Sequence, residues 1–195
     1  HVDAISVSAH KVYGPKGVGA IYIKPSVRWE PVIPGGTHER GMRHGTVNVA
    51  GVAAFVTSAQ LTCKEMDKTL LQMKRLRRFL TDLIDQKLHF IQVEGHPNNV
   101  LQNIVGLRLQ GVEGQHVMLE CNRKGISIST GSACQVGSTA PSRVMVSTGK
   151  SVEEAHELIR VSFGVQTTED DILFLSKILE QVMIDWKSKG VKMPK

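Results

Sequence analysis

The most restrictive feature of this sequence is a helical hydrophobic period that runs from about Val47 to Lys87. Apolar residues recur there at spacings of mostly three and four, which places them on one continuous face: Val52, Val56, Ala59, Cys63, Met66, Leu70, Met73 and Leu80. The segment is long enough for one bent helix or for two helices in sequence. The elements on either side of it therefore decide the fold class.

Two short strands and a long loop precede the helical segment. Residues 3–8 and 18–23 are rich in residues that favour strands, and the second run is apolar enough for burial on both faces. Residues 24–46 are rich in Pro and Gly and predict a long loop. A loop of that length inside a compact chain is more often functional than a simple connection.

Strands and helices alternate after the helical segment. We expect strands at 89–93, 100–109, 126–129 and 158–163, and helices at 113–123, from 141, at 152–157 and from about 169. Lys124-Gly125 predicts the end of one helix, and Thr168 with Asp171 forms a capping pair before the last one. The pattern predicts an α/β or α+β fold.

Composition and charge exclude several classes of protein. With 195 residues, 41% of them hydrophobic and 22% charged, the chain can bury a core. It contains no apolar run of the roughly 20 residues that a membrane-spanning helix needs. Three cysteines are an odd number, which argues against a disulfide framework and suits a reducing compartment such as the cytoplasm. We therefore expect neither a membrane protein nor a secreted one.

The net charge of +6 leaves the kind of partner open. Residues 74–78 (KRLRR) are the one candidate for binding nucleic acid. Few aromatic residues accompany this cluster, so a solvated helix face is the favoured interpretation.

The first candidate for chemistry is Ser8-Ala9-His10-Lys11, at the end of the first predicted strand. A lysine between buried segments would have a lowered pKa, and a neutral amine forms an imine with a carbonyl group. Ser8 and His10 supply hydrogen-bond donors for a phosphate. From these four residues alone, an exposed lysine beside a turn is the more common outcome.

Cys134 and Arg160 are the next candidates. Cys134 lies in a Gly/Ser-rich loop and has the surroundings of a nucleophile, whereas we take Cys63 and Cys121 as packing residues. Arg160 lies in the middle of an apolar strand, where a guanidinium needs an anion. That anion is either a ligand carboxylate or a buried Asp or Glu in a structural ion pair.

Residues 35–46 (GGTHERGMRHGT) combine Arg, His, Thr and Gly in a pattern that suits anion binding. His38 and His44 are not at a helical metal-ligand spacing, and no cluster of carboxylates accompanies them. We expect no metal site.

Taken together, four segments resemble the cysteine desulfurases of the NifS/IscS type, within the class V aminotransferase family. These segments are 6–19 (SVSAHKVYGPKGVG), 35–46 (GGTHERGMRHGT), 129–134 (STGSAC) and 159–168 (IRVSFGVQTT). Their order and spacing agree with the family, and the likeness covers essentially the whole chain. Residues 121–125 and 134–137 are similar to a NifS branch that is associated with NAD biosynthesis.

The resemblance implies a role for each matching residue. Lys11 would form the Schiff base with pyridoxal 5'-phosphate, and Ser8 and His10 would contact its phosphate. Thr46 would reach the phosphate of a partner subunit's cofactor, which implies a homodimer. Cys134 would form the persulfide, and Arg160 would hold the substrate carboxylate.

The implied reaction transfers sulfur from L-cysteine to Cys134 and releases alanine, for iron–sulfur cluster assembly. A sulfur-acceptor or iron–sulfur scaffold protein would be the partner. The implied domains are residues 1–66, the last part of a large cofactor-binding domain, and residues 67–195, a small α+β domain that carries the cysteine loop. His44 and Val165-Gln166 depart from the family pattern, which leaves the preference for substrate or partner open.

The position of Lys11 leads to a further expectation. In the family, the half of the chain before this lysine contributes the Asp that faces the cofactor and most of the large sheet. We therefore expect these 195 residues to be a C-terminal half that is inactive alone. The alternatives are a folded domain without enzymatic activity, a selenocysteine lyase or another class V enzyme, and, more remotely, a basic nucleic-acid-binding module.

Overall fold

The structure is a computed structural model that describes residues 2–131 and 140–188. The strands of this part of the chain are β1 (Ala4–Ser8), β2 (Gly19–Ile23), β3 (Ile91–Glu94), β4 (Ile104–Leu109) and β5 (Leu158–Ser162). Its α-helices are α1 (Val49–Lys64), α2 (Met66–Lys87), α3 (Gly114–Arg123), α4 (Arg143–Ser147), α5 (Val152–His156) and α6 (Glu169–Ser188). The chain divides into two compact units, residues 1–67 and 68–195.

The first unit contains the antiparallel pair β1–β2 and the helix α1. The strands pair from Ala4 with Ile23 to Ser8 with Gly19. Among the described residues of this unit, only Ala9 and Phe55 are buried. The expectation that the second strand is buried on both faces is wrong, because a two-stranded sheet has no layer of its own to cover its faces.

The helical period is two helices separated at Glu65, one of the two alternatives that the sequence allowed. The predicted face is buried only in the part of α2 from Met73 onward, since Met66 and Leu70 at the start of that helix are 60% and 43% exposed. Met73 and Leu80 are 4% and 0% exposed, whereas Val52 and Val56 in α1 are 43% and 49% exposed. The apolar face of α2 is covered by the second unit's own sheet and last helix, and α1 has no such cover among the described residues.

The second unit is built on the antiparallel sheet β3–β4–β5. Val105, Leu107 and Leu109 alternate along β4 and are fully buried in a cluster with side chains of α2, α3 and α6. The intervening Gly106 and Arg108 belong to the opposite face of the sheet. Helices segregated on an antiparallel sheet make this unit α+β, within the predicted class.

Local signals set the helix ends. α3 ends before Gly125, whose φ of +84° favours glycine, as predicted. Asp171 accepts hydrogen bonds from the N–H and hydroxyl of Thr168, both at 2.8 Å, so the predicted capping pair is confirmed. The strand predicted at 126–129 is reduced to one β-bridge between Ser129 and Arg160. Ser151 and Glu154 form a capping box on α5 that we did not predict.

Candidate functional site

The turn after β1 carries three of the candidate residues. Ser8 ends the strand, and residues 9–12 form one 3₁₀ turn. The side chains of Ser8, His10 and Lys11 are exposed, and none of them has a hydrogen-bond or ion-pair partner among the described residues. The expectation that Lys11 lies between buried segments is wrong for this chain, because the flanking strands are exposed. A hydroxyl, an imidazole and a primary amine are thus free to meet a ligand.

This turn is held against α1. Thr62 Oγ1 donates a hydrogen bond to the Val12 carbonyl oxygen at 3.4 Å. A Cβ at Gly14 would lie 2.8 Å from Ser58 Oγ and 3.0 Å from the carbonyl oxygen of Ala9. Any side chain at position 14 would therefore push the turn away from the helix. The backbone that carries Lys11 has a defined position within the first unit.

The loop of residues 38–43 closes on itself. The N–H of Arg43 donates to the His38 carbonyl oxygen at 3.1 Å, and the N–H of His38 donates back at 3.3 Å. Between them, Glu39 and Arg40 have φ angles of 52° and 57°, a left-handed backbone that costs free energy in residues with a Cβ. The pairing of His38 with Arg43 stabilises this strained turn.

Two contacts fix the segment before Thr46. Arg43 Nη2 donates to the carbonyl oxygen of Thr46 at 3.2 Å, and His44 Nε2 lies 2.9 Å from the carbonyl oxygen of Ile33. The side chain of Thr46 is exposed. Anion binding by this loop remains a prediction. Across residues 2–131 and 140–188, no group of three or more His, Cys, Asp or Glu side chains is placed to hold a metal ion.

A cavity of about 1140 Å³ lies in the second unit. Its walls come from β3, β4 and β5, from the start of α3, from residues 129–131, and from residues 140–150 around α4. Gly106 and Arg160, which pair across β4 and β5, both line it, as does Glu94, which pairs with Gly106 across β3 and β4. The cavity therefore opens over the face of the sheet that is opposite to the core.

Arg160 is positioned by the backbone around it. Its N–H donates to the carbonyl oxygen of Ser129 at 2.6 Å, and its Nη1 donates to the carbonyl oxygen of Gly131 at 2.9 Å. No carboxylate oxygen of the described residues lies within 4.0 Å of its guanidinium, so the structural ion pair is not found in this part of the chain. The remaining N–H groups are available to a ligand anion in the cavity.

Arg108, which the sequence analysis missed, is the arginine that does form a structural ion pair. Its guanidinium lies 2.6 Å from Glu94, 2.7 Å from Glu157 and 3.0 Å from Glu154. Lys150 Nζ lies 3.4 Å from the second oxygen of Glu94. Burial alone would lower the pKa of Arg108, but the hydrogen bonds that its guanidinium donates to Glu94 and Glu157 raise that pKa above the ordinary arginine value.

The signal for Arg108 was present in the sequence. It stands in IVGLRL as Arg160 stands in LIRVS, an arginine among apolar strand residues. Both guanidiniums need an anion for the same reason, and only their neighbours in space distinguish the two arginines. Arg108 is surrounded by carboxylates of the chain, whereas Arg160 faces a cavity.

The three cysteines differ in position. Cys134 is among residues 132–139, outside the described residues, and the residues on either side of that segment, Gly131 and Ala140, both line the cavity. Cys121 is fully buried, as predicted, and burial together with the charge of Glu120 raises the pKa of its thiol to about 11. Cys63 is exposed, so the prediction that it packs in a core is wrong.

The basic cluster on α2 interacts with the second unit itself. Arg75 Nε lies 2.7 Å from Glu169 Oε1, and Arg78 Nε lies 3.7 Å from Asp82 Oδ2. Arg77 Nη1 donates to the carbonyl oxygens of Leu101 and Ile104 at 3.2 and 2.8 Å. The side chains of Arg75 and Arg78 are 74% and 84% exposed, which supports the interpretation of that part of the cluster as a solvated helix face, whereas Arg77 is half-buried.

Comparison with known families identifies the chain. The profile of the family "Aminotransferase class-V" matches residues 1–175. The chain belongs to the class V aminotransferase family. The resemblance that the four sequence segments indicated is confirmed at this level.

Curated relatives refine the comparison. The chain is 44% identical over 190 residues to a Bacillus subtilis protein named "Putative cysteine desulfurase NifS", which covers 96% of this chain and 47% of that protein. It is 36% identical over 182 residues to the "Cysteine desulfurase IscS" of Dictyoglomus turgidum, across 93% of this chain and 46% of that protein. The chain spans about half the length of these relatives.

Solved structures agree with the fold. A "NIFS-LIKE PROTEIN" superposes with a TM-score of 0.81 at 28% identity, over 94% of this chain and 47% of that one. A NifS-like protein from Rickettsia africae superposes with a TM-score of 0.83 over 93% of this chain and 48% of that one, and at 23% identity it supports the fold alone. Within the described ranges, no helix has the length and apolar character required to cross a bilayer.

Proposed function

We propose that this chain is the cofactor-anchoring and cysteine-bearing half of a pyridoxal 5'-phosphate-dependent cysteine desulfurase. The enzyme would move the sulfur of L-cysteine to Cys134 and release alanine, and the sulfur would go on to iron–sulfur cluster assembly. The observation that carries the proposal is Arg160, a guanidinium in a cavity of about 1140 Å³ with no carboxylate partner among the described residues. The names of the relatives support the choice of reaction.

The residues at the turn after β1 fit pyridoxal 5'-phosphate. The group carries an aldehyde, which the exposed amine of Lys11 suits, and a phosphate, which the hydroxyl of Ser8 and the ring of His10 suit. Thr46 would add a donor to the phosphate in a partner subunit, so we propose a homodimer. When bound, this cofactor withdraws electrons from the α-carbon of an attached amino acid.

Three residues of the chain would carry out the other steps of the reaction. Arg160 holds the carboxylate of L-cysteine through two guanidinium N–H groups and so fixes the substrate's orientation. The free amine of Lys11 takes a proton from the substrate and returns it to the carbon that becomes the methyl group of alanine. The Cys134 thiolate attacks the substrate sulfur, the carbon–sulfur bond breaks, and its electron pair stays with carbon.

We propose two domains, and the division of the chain into units at residues 67 and 68 supports a boundary close to the proposed one. Residues 1–66 would be the last part of a large cofactor-binding domain, and residues 67–195 would be the small domain that carries the cysteine segment. We place the enzyme in the cytoplasm, since Cys63 and Cys121 are free thiols. Its partner would be a sulfur-acceptor or iron–sulfur scaffold protein.

We infer that the 195 residues alone do not turn over L-cysteine. They match about half of each relative, and β1 and β2 expose apolar side chains such as Ile5 and Ile21, which are 48% and 54% exposed. A folded domain without enzymatic activity is therefore the second candidate for the isolated chain. Alanine formation by these residues alone would contradict it.

The test of the main proposal compares variants of the full-length protein supplied with the cofactor. We expect the Lys11→Ala variant to lose both alanine formation and the absorbance of the imine between the lysine and the cofactor. We expect the Cys134→Ala variant to keep the absorbance but to form no sulfide from L-cysteine in the presence of a thiol reductant. A Lys11→Ala variant with full absorbance, or a Cys134→Ala variant with full sulfide release, would contradict the proposal.

Two further measurements address the alternatives. A kcat/KM for L-selenocysteine far above that for L-cysteine would favour a selenocysteine lyase. Tight and steeply salt-dependent binding of an oligonucleotide would favour the nucleic-acid-binding module. The Cys134→Ala variant is the matched control for the first measurement, because it removes the sulfur acceptor and leaves Lys11 and Arg160 in place.

A further inference from the structure

Glu94 and Arg160 stand in one row across the sheet, separated by a glycine. Glu94 pairs with Gly106 on β4, and Gly106 pairs with Arg160 on β5. Directly opposed residues of an antiparallel sheet point to the same face, so the two charged side chains leave the sheet on the cavity side. A Cβ at Gly106 would lie 3.5 Å from Glu94 Cβ, so position 106 faces the same side of the sheet as the Glu94 side chain.

This register places the Glu94 carboxylate and the Arg160 guanidinium close enough to contact each other. Two strand spacings separate their Cα atoms by roughly 10 Å, and no side chain at position 106 lies between them. An extended arginine and a glutamate together span such a gap. Glu94 is thus an internal carboxylate that could occupy Arg160 in place of a ligand's carboxylate.

Glu94 is instead held by two other cations. Its Oε1 accepts from Arg108 Nε at 2.6 Å, and its Oε2 lies 3.4 Å from Lys150 Nζ. Its side chain is 14% exposed, so both oxygens are engaged in a mostly buried position. Arg160 remains without a carboxylate partner among the described residues.

We propose that Arg108, with Lys150, is a positioning residue that binds Glu94 and thereby keeps Arg160 free for the carboxylate of a ligand. The inference deepens the proposed function and rests on it for the identity of that ligand as an amino-acid substrate. It assigns the Arg108 cluster a part in binding in addition to its part in folding.

The test measures binding of propionate, a small carboxylate, to the ¹⁵N-labelled chain by nuclear magnetic resonance. We expect Arg160→Gln to abolish the propionate-induced shifts of signals from the cavity. We expect Arg108→Gln to raise the Kd at least tenfold, because the released Glu94 binds Arg160. The double variant Arg108→Gln/Glu94→Gln should return the Kd to within about twofold of the parent.

The rescue separates a positioning role from a structural one. A loss that comes from the pairs of Arg108 with Glu154 and Glu157 would not be repaired by a second change at position 94. A double variant that binds propionate as weakly as Arg108→Gln would therefore overturn the inference. Glu154→Gln is the matched control: it removes a carboxylate from the same arginine but leaves Glu94 held, so we expect an unchanged Kd.

A milder variant covers the case in which Arg108→Gln fails to fold. Lys150→Gln removes one of the two cations from Glu94 and leaves the buried Arg108 pairs intact. We expect it to raise the Kd about threefold, and the addition of Glu94→Gln to reverse that change. A Lys150→Gln variant with the parent's Kd would count against the inference.

The outcomes distinguish this inference from the proposed function. If the rescue occurs but the full-length protein forms no alanine from L-cysteine, the proposed function fails and the role of Arg108 stands. If alanine forms but Glu94→Gln does not rescue propionate binding, the role of Arg108 fails and the proposed function stands.

Discussion

Arg108 Nη1 lies 2.7 Å from Glu157 Oε2, which joins the central strand of the second unit's sheet to the residue that links α5 to β5. The other oxygen of Glu157 accepts the N–H of Gly111 at 2.7 Å. The side chains of Arg108 and Glu157 are 9% and 11% exposed. This pair therefore fixes the start of β5, and Arg160 follows three residues later.

Glu157→Ala should strongly destabilise the second unit. The change leaves a buried guanidinium with one partner fewer and the N–H of Gly111 without an acceptor. Breaking a buried pair in this way costs about 3–5 kcal/mol. The measurement is the free energy of unfolding in urea, followed by the fluorescence of Trp186 in a Trp29→Phe background.

The matched control for Glu157→Ala is Glu120→Ala. Glu120 forms an ion pair of the same length, 2.7 Å, with Arg123, but the arginine is 73% exposed. An exposed helical pair contributes about 0.3–0.5 kcal/mol. An equal loss in the free energy of unfolding for the two variants would contradict the view that burial makes the Arg108–Glu157 pair more stabilising than an exposed pair.

Features that depend on neighbouring residues in the chain could be predicted from the sequence. The cap formed by Thr168 and Asp171 and the helix end at Gly125 need only a few consecutive residues, and both are confirmed. The strands β1 and β2 lie within the two runs, residues 3–8 and 18–23, whose composition predicted them.

Burial could not be predicted in the same way, because it depends on what covers a face. Cys63 and Met73 belong to one helical period in the sequence, yet Cys63 is exposed and Met73 is buried. The partners of Arg108 and Arg160 could not be predicted either, since both arginines stand among apolar strand residues. Only the register of β3, β4 and β5 shows which arginine meets the chain's own carboxylates.

The thiol of Cys121 should make the second unit sensitive to alkaline pH. Burial raises the pKa of this thiol from 9.0 to about 11 in the folded chain. Between these values the unfolded chain has lost the thiol proton and the folded chain has kept it, so the unfolded state binds fewer protons. The free energy of unfolding should therefore fall as the pH rises from about 9 to about 11, and urea titrations across this range measure it.

The Cys121→Ala variant isolates that contribution. It lacks the thiol, so the part of the pH dependence that belongs to Cys121 should vanish even though the variant is less stable at every pH. Labelling with N-ethylmaleimide at pH 8 gives an independent check by peptide mass. Cys63 should react in the folded chain and Cys121 only in denaturant, and rapid labelling of Cys121 would contradict its burial.

Arg160→Ala should weaken substrate binding in the full-length enzyme. Hydrogen bonds to a charged group contribute about 1.5–3 kcal/mol, which corresponds to a rise in KM for L-cysteine of about 10- to 100-fold. The KM of Arg160→Lys should lie between those of the unmodified enzyme and Arg160→Ala, because an ammonium keeps the charge but not the paired N–H groups. Steady-state alanine formation gives both KM and kcat.

Arg123→Ala is the control for that measurement, since Arg123 is an exposed arginine paired with Glu120 on α3. It should leave the KM unchanged. A normal KM in Arg160→Ala would remove the main support for a carboxylate in the cavity.

The junction between α3 and β5 should tolerate no side chain at Gly114. This residue begins α3 and is buried, and a Cβ there would overlap the carbonyl group of Leu158. Backbone cannot yield as a flexible side chain does, so α3 or the start of β5 must shift. We expect Gly114→Ala to lower the free energy of unfolding by about 1–3 kcal/mol, measured in urea by Trp186 fluorescence.

Gly106→Ala is the matched control, because both glycines lie near Leu158 but only one is crowded by backbone. A Cβ at position 106 would lie 3.5 Å from Glu94 Cβ and 3.6 Å from Leu158 Cδ1, which are ordinary contacts. An alanine also reduces the conformational freedom of the unfolded chain, so this variant should keep or raise the free energy of unfolding by up to about 1 kcal/mol. Equal changes in the free energy of unfolding for the two alanine variants would contradict the view that the close approach of α3 to β5 constrains position 114.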